Sequence, residues 1–246
     1  MTERFEYGDG AMQYAVLHLA DGDAVGTVVL IHGGFWRGTP DLFDGPTPLA
    51  ETLVASGWHV WQIEYRQLPN DGGWPGTLDD VAAAIERLGP FAQQRGLDLG
   101  PVVTVGHSAG GHLAVWALTR PDAVLPLTGA VSLAGALNLR LGDEERIGQG
   151  AVTDFLGGAS AQHPERYAAA DPIARIDPAL PVRIVHGDQD DVVPMNQSET
   201  YIAAALQAGQ DASLAVVPGD HMVVIDPTHP AFDALITALD EIRGSA

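Results

Sequence analysis

The stretch Pro101-Val102-Val103-Thr104-Val105-Gly106-His107-Ser108-Ala109-Gly110-Gly111-His112-Leu113-Ala114 constrains this chain more than any other. An apolar, β-branched run passes directly into Gly-x-Ser-x-Gly and then into an apolar segment of helical character. That is the strand, turn and helix context of a nucleophile elbow. Glycines are needed at 106 and 110 because a side chain at either position would collide with neighbouring backbone in so tight a turn. The serine between them sits on strained backbone with its hydroxyl held at the end of a sheet, and the helix that follows aims its positive end at any negative charge developing there. Ser108 is the candidate nucleophile.

A strand ending in such a turn implies a sheet, and the rest of the chain supplies one. Apolar runs of strand length alternate with longer segments of helical period, the pattern of an α/β fold with a mostly parallel sheet covered by helices on both faces. The predicted strands are Ala15–Leu19, Thr27–Ile31, His59–Glu64, Val102–Gly106, Gly129–Leu133, Val182–Val185 and Ser213–Val217. The clearest helix is Leu78–Leu88, with Leu78, Val81, Ala82, Ile85 and Leu88 on one face, Asp79, Asp80, Glu86 and Arg87 turned away, and Thr77 as N-cap. Another helix follows Pro194, and Ala231–Ile242 is the last. At 246 residues the whole chain, 1–246, reads as a single domain. The segment 138–177 breaks the alternation and is given no fold of its own; it is the candidate for a short inserted cap.

A serine hydroxyl must lose its proton to an adjacent base as it attacks. Of nine histidines, His221 is the best placed: it follows a predicted strand through Pro218-Gly219-Asp220 and comes after the serine and an acid in chain order. His32 and His186 each end a strand before a glycine and read as structural; His107 and His112 flank the elbow and read as packing or surface residues. The acid is expected in the loop His186-Gly187-Asp188-Gln189-Asp190-Asp191-Val192-Val193-Pro194. Its H-G-x-x-D-x-x-V-P spacing resembles that around the acid of α/β-hydrolases, a resemblance that favours Asp190, then Asp191, then Asp188, as the carboxylate that holds the histidine ring in one tautomer and stabilises the imidazolium. Three carboxylates on one short loop could instead bind a hard cation, but no further ligand spacing accompanies them, and no metal site is assigned. Oxyanion donors are expected from His32-Gly33-Gly34-Phe35-Trp36-Arg37-Gly38, through the Gly34 and Phe35 amides, together with the amide of Ala109.

Composition narrows the partners. The net charge is −20 and all twelve basic residues are arginines, so the chain cannot assemble the basic patch that nucleic acid or an anionic membrane demands. Cysteine is absent, which excludes a thiol nucleophile, disulfides and thiolate metal sites. The beginning Met1-Thr2-Glu3-Arg4-Phe5-Glu6 lacks the basic end and apolar run of a signal peptide, and a cytoplasmic location is expected.

With these residues identified, the chain resembles the α/β-hydrolase superfamily over nearly its whole length. It is most similar to the branch of small esterases and kynurenine formamidases that carry H-G-G-x-W, here His32-Gly33-Gly34-Phe35-Trp36, matched by Gly-His-Ser-Ala-Gly-Gly-His at 106–112. Lipases of the hormone-sensitive type usually carry a third glycine where this chain has Phe35. The resemblance implies Ser108, Asp190 and His221 as a triad, acyl transfer to water through an acyl-serine, no cofactor, and a small-molecule ester or amide as substrate. Phe35, Trp36, Trp74 and Trp116 are candidates for an aromatic-binding pocket, with Trp36 and Trp74 the favoured substrate contacts. A serine peptidase of the same fold and a non-catalytic binding protein on this scaffold are the alternatives.

Overall fold

The structure, a computed structural model, describes residues 2–38 and 47–245. Its centre is an eight-stranded sheet. In chain order the strands are β1 (Thr2–Glu6), β2 (Tyr14–His18), β3 (Gly26–Ile31), β4 (Trp58–Ile63), β5 (Val102–His107), β6 (Gly129–Leu133), β7 (Val182–Gly187) and β8 (Ala212–Val217). They lie side by side as β1-β2-β4-β3-β5-β6-β7-β8. The pairs β1–β2 and β2–β4 are antiparallel, and every pairing from β4 across to β8 is parallel.

The helices are α1 (Pro48–Ala55), α2 (Gly76–Arg95), α3 (Ala109–Trp116), α4 (Leu139–Glu144), α5 (Ile147–Leu156), α6 (Pro164–Ala170), α7 (Asn196–Gln207) and α8 (Ala231–Gly244). Side chains alternate between the faces of a strand, so β3 sends Val29 and Ile31 into one core and Val28 and Leu30 into the other. The first core is completed by α2, α3, α7 and the helices of 138–177; α1 and α8 cover the second. Strands buried on both faces read as continuous apolar runs, which is why β3 to β7 were visible in the sequence.

The structure corrects several expectations. The edge strand β1 was missed because Glu3, Arg4 and Glu6 interrupt any apolar signal; charge is common on an edge that has no second neighbour. Helix α2 is longer than Leu78–Leu88, running through Pro90 to a left-handed Gly96 with φ 62°. Thr77 lies inside it rather than capping it: the buried hydroxyl donates to Arg66 O at 2.6 Å and accepts from Gly73 N–H at 2.9 Å. Asp80 does not face solvent. It is 1% exposed and accepts from Arg66 Nε, Arg66 Nη2, the Arg66 amide and Gln13 Nε2. Glu86 pairs with the buried Arg120.

Segment 138–177 forms α4, α5 and α6, whose Ile147, Val152, Phe155, Leu156 and Tyr167 are buried. Each helix is too short to display a clear period. The buried Asp171 closes the segment on itself by accepting from the amides of Leu139 and Arg140 at 2.9 and 3.2 Å. Burial pushes its carboxyl up to about 6, against the pull of those backbone bonds.

Candidate active site

Strand β5 delivers Ser108 onto a turn with φ 56° and ψ −120°, a combination that side-chain-bearing residues adopt only where the surroundings over-determine it. Sterics enforce the motif. A Cβ at position 106 would lie 2.0 Å from the Gly110 carbonyl oxygen, and one at 110 would lie 2.1 Å from that of Ile31. Ser108 N–H donates to Leu133 O at 2.9 Å, anchoring the turn to β6. Helix α3 begins at once with Ala109, in a first turn whose amides have no intrahelical acceptor.

The loop after β3 meets this elbow directly: a Cβ on Gly33 would lie 3.0 Å from Ser108 Cβ. Gly34, Phe35 and Trp36 follow with φ 110°, 56° and 56°. The loop is clamped at both ends. His32 Nε2 bonds Glu64 Oε1 at 2.9 Å, its ring stacks on Tyr65 at 4.4 Å, and Tyr65 Oη donates to His32 O at 2.8 Å. At the other end Trp36 Nε1–H donates to His112 Nδ1 at 3.2 Å while its ring stacks on Phe155 at 4.6 Å. Because His112 Nδ1 accepts, its proton sits on Nε2 and is donated to Ala170 O at 2.9 Å. Burial holds His112 down to about 4, so it stays neutral.

The loops after β7 and β8 are laced together by the bonds of Asp188 N to Val217 O, Gln189 N to Gly219 O and Gly219 N to Asp188 Oδ1, each at 2.9 Å. This lacing brings Asp190 beneath His221. Asp190 Oδ2 lies 2.7 Å from His221 Nδ1, and Oδ1 accepts from the amides of Val192 and Val193 at 2.9 and 2.8 Å. Burial alone would raise the Asp190 carboxyl; bonds from His186, His221 and the Val193 amide outweigh it and hold the group well below the usual carboxylate range. Asp191 is exposed, and Asp188 spends an oxygen on Gly219. The three aspartates therefore do not converge.

His107 supports the other side of the histidine, its Nε2 bonding His221 O at 3.0 Å and its ring 4.5 Å from the His221 ring. Burial first, then the His221 charge, press its value down to about 3. A cavity of about 490 Å³ opens here. Ser108, His221, Gly34 and Phe35 all line it, with Leu30, Leu49, Val192, Met222 and Ile225 among the apolar remainder. No Asp, Glu or Arg lines it among the described residues.

Residues 17–205 match the family described as BD-FAE. The chain belongs to the BD-FAE family. Esterase LipC of Mycobacterium tuberculosis is 30% identical to this BD-FAE member over 190 residues, 71% of this chain and 47% of LipC. Esterase LipQ of the same organism is 27% identical over 224 residues, 82% of this chain and 51% of LipQ. The chain thus spans about half the length of these curated relatives. Among solved structures, a truncated carbohydrate esterase from gut microbiota superposes with a TM-score of 0.82 at 21% identity, covering 99% of this chain and 96% of that one. Esterase B from Lactobacillus rhamnosis gives 0.83 at 21% identity, covering 100% and 86%. These likenesses show that the BD-FAE chain has the α/β-hydrolase fold.

Two residues expected at the substrate are elsewhere in this BD-FAE fold. Trp36 is 1% exposed and faces the core, committed to His112 and Phe155. Trp74 packs against the same core, its amide bonded to Phe155 O at 2.8 Å. Neither lines the cavity among the described residues. Trp116 is also buried and donates its indole N–H to Ala169 O at 3.0 Å, linking α3 to α6. The pairing of Trp36 with His112 ties the H-G-G-F-W loop to the G-H-S-A-G-G-H elbow: the last residue of each motif bonds the other. No helix among the described residues is long and apolar enough to cross a membrane.

Proposed function

We propose that this chain is a serine hydrolase that cleaves esters of small uncharged molecules through an acyl-serine on Ser108. The observation that carries the reading is the Asp190–His221 pair, 2.7 Å apart, opening on the same cavity as Ser108. In this mechanism His221 Nε2 takes the hydroxyl proton as Ser108 Oγ attacks the ester carbonyl carbon, and Asp190 stabilises the imidazolium on its Nδ1 side. The tetrahedral oxyanion accepts from the amide of Ala109 and those of Gly34 and Phe35. Collapse breaks the C–O bond, His221 returns the proton to the departing alkoxide, and water attacks the acyl-serine by the same route. The absence of charged side chains from the described lining, together with the net charge of −20, favours a neutral substrate over an anionic one.

Esters stand before aryl formamides in this reading because the similar proteins carry esterase names. The formamide reading keeps the support of the H-G-G-F-W loop. Segment 138–177 acts as a support more than a lid: its described contact with the cavity wall runs through Phe35, whose ring lies over Gly148. The test is Ser108→Ala, assayed beside the parent on aryl esters, N-formyl aryl amines and peptides, with a fluorophosphonate probe in parallel. Turnover should fall by about 10⁴ or more and labelling should vanish, with folding unchanged. A variant within tenfold of the parent would end the serine reading.

A further inference from the structure

His186 was expected to be a structural strand-end residue, yet its side chain reaches the candidate acid. It is wholly buried. Its Nε2 lies 2.9 Å from Val193 O and 3.1 Å from Asp190 Oδ2, and its Nδ1 lies 2.7 Å from the hydroxyl of buried Ser198. A carbonyl and a carboxylate can only accept, so Nε2 carries the proton; Nδ1 is then free to accept from the Ser198 hydroxyl on α7. The Nε2 proton is hydrogen-bonded to Val193 O, and Asp190 Oδ2 is its second, longer contact at 3.1 Å, beside the direct bond of that oxygen with His221 at 2.7 Å.

We propose that His186 is a positioning residue for the acid–base pair, fixing the Asp190 carboxylate and setting how much negative charge Oδ2 offers to His221. The inference rests on the proposed role of Asp190 and His221 in hydrolysis. Its logic is competition for one oxygen: each donor on a carboxylate withdraws charge that the other would otherwise meet. The Ser198 hydroxyl strengthens the effect, because donation into Nδ1 makes Nε2–H a better donor. The other titratable groups beside the pair are His107, packed on the His221 ring and held neutral, and the loop aspartates Asp188, Asp191 and Asp220, which are exposed and act through solvent.

The test compares parent, His186→Phe, His186→Gln and Ser198→Ala by the pH profile of kcat/KM on an aryl acetate, with thermal unfolding of each. Phenylalanine keeps the shape but removes the donor. Oδ2 then serves His221 alone, the imidazolium gains stability, and the acid limb should move up by roughly half to one unit, with kcat falling on the order of tenfold from loosened geometry. Glutamine restores a donor near Nε2, so its acid limb should stay with the parent. Ser198→Ala should move the limb upward by less than phenylalanine does. If His186→Phe fails to fold, the glutamine and Ser198→Ala pair carries the test alone. An acid limb that is unmoved or lowered in the folded phenylalanine variant would overturn the proposal, as would glutamine matching phenylalanine or, in the reduced test, Ser198→Ala matching the parent. Failure of the serine reading would show separately, as activity retained in Ser108→Ala.

Discussion

Asp190→Asn should be the most damaging isosteric change in the protein, and the bonds around the carboxylate show why. All four neighbours of its oxygens are donors: His221 Nδ1 and His186 Nε2 on Oδ2, and the Val192 and Val193 amides on Oδ1. An amide supplies one acceptor and one donor group, so one side of the site must face donor to donor. With the NH₂ toward the backbone, two buried amides lose their acceptor at about 1–3 kcal/mol each. With the NH₂ toward His221, both backbone bonds are kept and only His186 Nε2–H, which still has Val193 O as acceptor, faces a donor, but the His221 ring must accept on Nδ1 and carry its proton on Nε2, where it can no longer receive one from Ser108. The second arrangement should prevail, and the loss in kcat should be on the order of 10⁴, equivalent to ~5 kcal/mol. Hydrolysis of p-nitrophenyl acetate at pH 8 measures it; KM should stay within about threefold, since the substrate touches neither amide nor carboxylate. Asp191→Asn and Asp188→Asn should remain within about threefold of the parent. Because its carboxyl is held below its unfolded value, Asp190 contributes stability that is present above about pH 4 and lost as pH falls further; the asparagine variant should lack that acid-side loss. Asp190→Asn turnover within tenfold of the parent, or a crippled Asp191→Asn, would refute this account of the acid.

Trp36→Phe keeps the stack on Phe155 but leaves His112 Nδ1 without its donor, so chemical denaturation should show a loss of about 1–3 kcal/mol and kcat should fall while KM holds. A large KM effect would return Trp36 to the substrate. Gly148→Ala places a Cβ 2.3 Å from the Phe35 ring and should press that ring into the cavity, steepening the preference for short acyl chains by roughly tenfold across an acyl series. Phe35→Gly should flatten the same series, and an unchanged profile in both variants would remove Phe35 from acyl selection. Asp171, raised to about 6 by burial, favours the folded state most when protonated: its contribution is full below the unfolded value of about 3.9 and is lost as pH rises through 6. Urea unfolding of the parent should therefore weaken between pH 4.5 and 7 by on the order of 2 kcal/mol relative to Asp171→Asn, and parallel pH curves for the two proteins would refute it.

The elbow and the parallel strands were legible because their causes are local. A strand buried on both faces must be apolar throughout, and Gly106 and Gly110 meet backbone oxygens that tolerate nothing larger. The H-G-x-x-D-x-x-V-P spacing of the loop after β7 also pointed to Asp190, which is the one of the three loop carboxylates that bonds His221. Other features depend on contacts across long stretches of sequence. Asp80 looked like a solvent-facing residue of α2 until Arg66 and Gln13 surrounded it. Trp36 looked like a pocket aromatic until His112, seventy-six positions away, took its indole proton. His186 looked inert for the same reason, because the bonds of its ring depend on how the loop to Val193 folds back and where α7 sets Ser198.

Strain ties these features into one machine. Eight non-glycine residues among those described have positive φ, and five of them, Phe35, Trp36, Ser108, Arg146 and Gln149, lie in the three segments that meet around Phe35. Asp71 and Asp122 belong to a residue type that tolerates this conformation in turns; phenylalanine and tryptophan do not, and each such residue costs about 1–3 kcal/mol. Strain of that size persists only where relaxation would break something more costly. Relaxing the loop at Trp36 would strip the buried His112 of its donor, and relaxing it at His32 would disturb Glu64, whose Oε1 also accepts from the Tyr65 amide and Gln67 Nε2. The partners that clamp the loop, Glu64, Tyr65, His112 and Phe155, therefore lie outside the cavity lining, while Gly34 and Phe35 lie along it. In the proposed mechanism, donors fixed in this way would need no reorganisation when charge develops on a bound carbonyl, which is the condition under which backbone amides stabilise an oxyanion most strongly.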